Sequence, residues 1–289
     1  MKYWGRLLIF LLCTFPVTAE EPKIEISGAL KWEQMELSAN LALNLASAGI
    51  RLPAGRTEAE EIIKTGYVNL IRPYILSIPV DSSTTVGDLV DRGELSILEP
   101  EAIANSARRT SPVLSTDLLS LSGSYLIDLS VISSRLIRHN WPMEMRRILI
   151  PGPAAAHTGI IIVSSDELPI HGRNTAALLE PCLFPKIWDT EMNLIYERNI
   201  LNPENTRKTL VQYVDESSIF QASPSGLSPE VTALVGNNPL KIIARGIFGA
   251  RPTDPVIDKD DALLILSSET NRQLLRDGRV VIVLNQEKL

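Results

Sequence analysis

The richest supply of acid, base and metal-ligating side chains lies in HTGIIIVSSDELPIHG, residues 157–172. His157, Asp166, Glu167 and His171 are the types that hold zinc or move protons, and three or four of them converging would make such a site. Their spacing matches no recurrent zinc motif, and in a strand the adjacent Asp166 and Glu167 point to opposite faces. Polar residues at strand ends account for them equally well. A second candidate is DSSTT at 81–85, where Ser82 or Ser83 would need a base within hydrogen-bond reach; no His or Lys stands near in sequence. Asp81 and its neighbouring hydroxyls can instead bond to local backbone and shape a turn, which is the reading adopted. Cys182, set in EPCLFPKIW, reads as a small buried hydrophobe. The chain contains no phosphate-binding glycine loop, GxSxG elbow, HExxH pair or CxxC. Catalytic, cofactor and metal residues are therefore left unassigned.

The N-terminus carries a different message. Lys2 and Arg6 precede an apolar run from Leu7 to Val17, and Val17-Thr18-Ala19 stands before Glu20 and Glu21. Basic, apolar and small-residue regions in that order describe a secretory signal cleaved after residue 19. The run is short for a membrane span, so no transmembrane helix is expected after cleavage. Cys13 would be lipidated only in a lipoprotein signal, and Leu12 is a poor residue for the position before it. Cleavage takes away Lys2 and Arg6 and no carboxylate, so the formal charge of −6 becomes −8. Such acidity disfavours nucleic acid and anionic membranes as partners. Cys182 then remains alone, so an internal disulfide is excluded.

The elements that must position any site follow from periodicity. Ile24, Ile26, Leu30 and Trp32 take even positions, and Met35, Leu37, Ala39, Leu41, Leu43 and Leu45 take odd ones. The parity changes at Glu33-Gln34, as in a hairpin with one buried face. Thr57 and Glu60 suggest a capping box opening a helix whose face is Ala59, Ile62, Ile63, Tyr67, Leu70, Ile71 and Tyr74. Pro73 should kink or end it. A weaker helical pattern covers 98–107, and alternation at Tyr125, Ile127, Leu129 and Val131 predicts a strand. WPMEMRRILIPGPAAA marks a module boundary at 147/148. Beyond it, TGIIIVS, PLKIIARGIFG and GRVVIVL read as strands. LFPKIWDTEMNLIYE reads as a hairpin turning at Asp189–Asn193, and DKDDALLILSSETNRQLL as a helix capped by Asp258.

Taken together, these segments resemble a known family. A helix with Asn69-Leu70, then Asp81, Ser82, Thr84, Thr85, Val86 and Asp88, then Gly123, Tyr125, Ile127 and Leu129, resembles the N-terminal module of the flagellar H-ring protein FlgT and of Lpp-type envelope lipoproteins. The second half is similar to a C-terminal module that accompanies it in many exported bacterial proteins. That likeness rests on Thr158-Gly159, Pro181, Pro185-Lys186-Ile187, Asp189, Tyr196, Asn238-Pro239-Leu240, Thr253-Asp254, Asp261-Ala262 and Gly278-Arg279-Val280. It departs from the pattern around Met192-Asn193, where a glycine is usual. The resemblance implies no cofactor and a non-catalytic scaffold or assembly role in the periplasm or outer envelope. Its implied partners are other envelope proteins, flagellar basal-body components among them.

The expectation is an α+β chain with a signal peptide at 1–19 and two modules, 20–147 and 148–289. Each is expected to be a mainly antiparallel sheet packed with one or two helices. The alternative function is a periplasmic hydrolase or ligand-binding protein using His157, Asp166 and His171, which requires those side chains to converge in a pocket. Mass spectrometry of the mature N-terminus should find a free Glu20; an acylated Cys13 would overturn the signal reading.

Overall fold

The computed structural model describes residues 24–148, 155–205, 209–219 and 226–289. The signal segment and Cys13 lie outside these, and the expected boundary at 147/148 abuts residues that also do. In the first module β1 (Ile24–Lys31) and β2 (Glu36–Asn44) form the expected hairpin, in register from Ile24↔Leu43 to Lys31↔Glu36. Helix α1 (Arg56–Ser77) lays Ala59, Ile63, Tyr67, Ile71 and Ile75 on this sheet. The short helices α2 (Val86–Asp91) and α3 (Glu99–Asn105) follow. Strands β3 (Arg108–Arg109), β4 (Val113–Leu114) and β5 (Ser120–Asp128) complete an antiparallel sheet of order β1-β2-β5-β3, with β4 also on β5. Helix α4 (Leu129–Leu136) closes the module.

Two local expectations need correction here, and one that left two outcomes open is narrowed. Thr57 and Glu60 do not cap α1: the helix starts earlier, with Gly55 at its N-cap position, and Glu60 pairs instead with Arg56 at 3.0 Å. Pro73 does not end α1, which runs on to Ser77. A proline in a helix interior costs about 3 kcal/mol, and burial of Tyr67, Ile71 and Ile75 at roughly 1.5–3 kcal/mol each outweighs it. The strand expected through Val131 stops at Asp128, whose carboxylate accepts from the Ser130 N–H at 2.8 Å and caps α4.

The second module begins with β6 (Ile160–Ser164), β7 (Leu168–Pro169), β8 (Ala176–Ala177), β9 (Ile187–Asp189) and β10 (Leu194–Tyr196). Then come β11 (Gln212–Asp215), α5 (Glu216–Ile219), α6 (Pro229–Val235), β12 (Leu240–Ile243), β13 (Gly246–Phe248) and β14 (Asp254–Ile257). Helices α7 (Lys259–Ser267) and α8 (Glu269–Arg276) lead into β15 (Val280–Leu284). The chain is α+β with two modules, as expected. Chain direction differs within the second: β11-β15-β6-β12 is a sheet of parallel pairs, whereas β10-β9-β14-β13 is mixed. Parallel strands are covered on both faces. Accordingly Val281 and Val283 pack with Val231 and Val235 of α6, while Val280 and Ile282 join the main core. PLKIIARGIFG, expected as one strand, supplies β12 and β13 to different sheets. The expected single helix breaks at Ser268, whose hydroxyl accepts from the Asn271 N–H and caps α8.

The modules share one apolar core and are joined by the stretch that DSSTT belongs to. Asp81 Oδ1 accepts from the Ser83 N–H, the Ser83 hydroxyl and the Thr84 N–H, each at 2.9 Å. Thr85 caps α2 in a reciprocal box with Asp88. This turn leaves the carbonyls of Pro79, Val80 and Ser82 pointing outward, and they accept from Leu183, Phe184 and Arg251 of the second module at 3.0, 2.8 and 2.8 Å. Gly249 makes the approach possible, since a Cβ there would lie 2.4 Å from Ser82 Cβ. Trp32 meets Tyr213 edge to face at 5.8 Å beside this seam, and Gln212 donates to the Glu33 carbonyl. Asp81→Ala should therefore cost about 0.5–2 kcal/mol, the range for a capping side chain, with Ser83→Ala costing less. Urea unfolding of both variants measures this, and an Asp81→Ala protein as stable as the parent would refute the turn's structural role.

Candidate functional site

The residues singled out for chemistry do not come together. His157 precedes β6 and Asp166 follows it, so a strand of five residues, roughly 16 Å long, stands between them. Asp166, Glu167 and His171 are exposed, and the His171 ring meets Phe248 edge-on at 6.1 Å. The His157 backbone N–H donates to Asn271 Oδ1 at 3.0 Å, and its ring Nδ1 is buried without a hydrogen-bond partner among the described residues. Among the described residues no group of three or more His, Cys, Asp or Glu could hold a metal ion. Ser83 spends its hydroxyl on Asp81, and Ser82 is buried at the module seam. Cys182 is fully buried, and burial pushes its thiol well above the ordinary range. The Tyr213 hydroxyl donates to the Cys182 carbonyl at 2.8 Å and accepts from its N–H at 3.1 Å.

Several resemblance residues are instead structural anchors. Asp189, 4% exposed, accepts from the Glu191 and Asn193 N–H groups and from Asn193 Nδ2, at 2.9, 2.8 and 2.8 Å. These bonds hold the β9–β10 turn while Met192 takes a left-handed φ of 60° where glycine would be unstrained. Pro185 is buried just before β9. Asn238 is exposed, and its backbone N–H donates to Thr158 Oγ1 at 3.0 Å, fastening the entry of β12 to that of β6. Asp261 sits in the first turn of α7, where burial and the charge of Asp258 raise its carboxyl above the usual range. Asn69 is exposed on α1.

The β9–β10 turn and α7 wall a cleft of about 770 Å³. Ile195, Ala262, Leu263 and Leu266 give it apolar lining, and Arg146, Arg147 and Ile148 bring the inter-module segment to its edge. Its acidic groups are committed: Asp189 to the turn, Glu191 to Lys259. Arg146 reaches Asn193 Oδ1 at 3.4 Å, and Arg147 is exposed without an ion-pair partner among the described residues. The arrangement has an apolar floor beneath surplus positive charge. Sequence reading passed over Arg146, Arg147 and Lys259, because nothing local ties a basic pair in a connecting segment to a helix more than a hundred residues away.

A second buried carboxylate lies at the start of β14. Asp254, 1% exposed, accepts from the Lys186 N–H at 3.2 Å, the Thr253 hydroxyl at 2.9 Å and Trp188 Nε1 at 3.4 Å. Burial outweighs these bonds and raises its carboxyl above the ordinary range.

Comparison with known proteins overturns the FlgT and Lpp-type assignment. Residues 23–135 match the family model described as Treponema pallidum Tp0624, N-terminal domain, and residues 159–286 match that of Treponema pallidum Tp0624, second domain. No curated protein matches the chain. The short motifs behind the earlier resemblance, such as VDSSTT, encode a helix exit and an N-cap, and local solutions of that kind recur in unrelated families.

The raised Asp254 carboxyl fixes the sign of a pH effect. Between the unfolded value, about 3.9, and the higher folded one, the folded state binds more protons, so this group's contribution to stability is full at low pH and falls as pH rises. Asp254→Asn cannot ionise. Urea unfolding from about pH 3.5 to 7 should therefore show the stability difference moving in the variant's favour as pH increases. A difference that does not change with pH would contradict the assignment.

Proposed function

We propose that this chain is an exported, non-catalytic component of a cell envelope that works by binding another envelope protein through the cleft beside α7. Export is supported by the order of basic, apolar and small residues in 1–19. Among the described residues no helix is long and apolar enough to cross a membrane.

The observation that carries the binding role is the cleft's division of labour. Its carboxylates are engaged within the protein, its floor is aliphatic, and the guanidinium of Arg147 has no counter-charge among the described residues. The complementary partner is a protein segment presenting aliphatic side chains next to carboxylates. Buried aliphatic area would provide the affinity and the arginines the orientation and register.

A photo-crosslinking residue at position 194 tests this in the intact envelope, since Leu194 lines the cleft and is 37% exposed. The expected outcome is an adduct with an envelope protein whose yield falls about tenfold, or more, when Arg146 and Arg147 are both changed to Glu. An adduct indifferent to that reversal, or none at all, would count against the cleft.

A further inference from the structure

Strand β1 lies at the edge of the first module's sheet. It pairs with β2 along its whole length, and among the described residues no strand pairs with its other side. An open edge displays a row of unpaired N–H and C=O groups, and soluble proteins ordinarily blunt it with a proline, a bulge or a charge turned inward. β1 has no proline, no bulge and no inward charge, and the only charges it carries stand near its two ends. Its eight residues run in unbroken register, and its charged residues, Glu25 and Lys31, stand on the exposed face. Neither has an ion-pair partner among the described residues.

The inward face is also unfinished. Ile24, Ile26 and Leu30 are only half-buried, whereas Leu37, Ala39, Leu41 and Leu43 on β2, one strand further in, are buried. Beside Ile24 a groove of about 650 Å³ runs along α1, lined by Ile62, Gly66 and Leu70. One more strand at this edge would cover both.

The sequence of β1 identifies that strand. Set antiparallel to itself with Gly28 on a two-fold axis, IEISGALK places Ser27 opposite Ala29, Ile26 opposite Leu30 and Glu25 opposite Lys31. Directly opposed residues share a face. The two Ile26–Leu30 pairs thus fall on the α1 side, and the two Glu25–Lys31 pairs fall on the outer side. Neighbouring registers lose this match. Moving the axis to Ala29 sets Glu25 against Glu33, and moving it to Ser27 sets Glu25 against Ala29. The axis residue suits its place, because on the α1 side the Tyr74 ring already lies across Gly28, where a Cβ would come within 2.6 Å of it.

We propose that β1 pairs with β1 of a second copy of this chain, antiparallel about Gly28, joining two five-stranded sheets into one across a two-fold axis. The contact is isologous, so each charge pair and each apolar pair occurs twice. The cleft beside α7 lies on the other module and takes no part.

Sedimentation of the full-length protein up to about 100 μM, a range in which small specific interfaces still associate, provides the test. The wild type should form a dimer. Glu25→Lys and Lys31→Glu should each weaken it about tenfold or more, since each sets like charges opposite one another at two places. Both residues are on the exposed side, so melting temperatures taken at a dilution where the wild type is monomeric should match the wild-type value and separate lost pairing from lost folding. Mixing the two variants should restore dimers to near wild-type strength, because the Glu25→Lys chain then offers two lysines to two glutamates of the Lys31→Glu chain. A wild type that stays monomeric throughout, a dimer indifferent to both reversals, or a mixture that fails to associate would each overturn the proposal.

Discussion

The structure turns on three backbone hydrogen bonds accepted by Pro79, Val80 and Ser82 from the second module. Backbone groups buried at a seam must find partners, so a segment that leaves its carbonyls free fixes where the other module sits. The turn is free to do this because its own polar needs are met internally: the Asp81 carboxylate takes the N–H groups of Ser83 and Thr84, and Thr85 and Asp88 satisfy each other. Only then can the outward carbonyls serve Leu183, Phe184 and Arg251. The next residue after Phe184 is Pro185, which leads directly into β9, one wall of the cleft. A turn in the first module therefore sets the starting point of the strand that shapes the second module's site.

Two carboxylates near this seam show how differently burial can be resolved. At Asp81, burial raises the carboxyl, but hydrogen bonds from Ser83 and Thr84 outweigh it, so the group ionises more readily than usual and stabilises the fold above its unfolded value. At Asp254 the same kind of donors are present, yet burial wins and the shift runs the other way. The difference is solvent: Asp81 is half-buried at a turn, whereas Asp254 is enclosed behind Lys186 and Trp188. Acidification thus weakens one anchor while relieving the other.

What the sequence disclosed was local. Hairpin parity located β1 and β2, the four-residue steps located α1, and Asp258 marked the start of α7, because each signal depends on neighbours within one or two turns of chain. The turn character of DSSTT was legible for the same reason. Its docking role was not, since Leu183 and Arg251 stand about a hundred or more residues away and carry no mark of their destination. Strand direction was hidden likewise: VVIVL reads the same whether β15 runs with β6 or against it, and only the placement of α6 and the main core on its two faces decides. Pro73 left open whether α1 kinks or ends there, because propensity is a local term and the burial of Ile71 and Ile75, which carries the helix past it, is not. Residue chemistry is local in the same way around His157, where types suited to catalysis are distributed to opposite ends of one strand.

The signature positions also show what a resemblance built on short motifs can rest on. Asp189 holds the β9–β10 turn with three acceptor contacts, and that is what permits Met192 to occupy a left-handed conformation that glycine would accept freely. The strain at Met192 is of the order of 1 kcal/mol or more, so it persists because the carboxylate over-determines the turn. In return, a side chain stands where glycine would leave open space, and Met192 lines the cleft next to Leu194. A glycine there would be unstrained and would remove one side chain from the cleft wall. The left-handed backbone at Met192 thus carries a local cost at a position where its side chain adds to the apolar lining that Ile195, Ala262, Leu263 and Leu266 already provide.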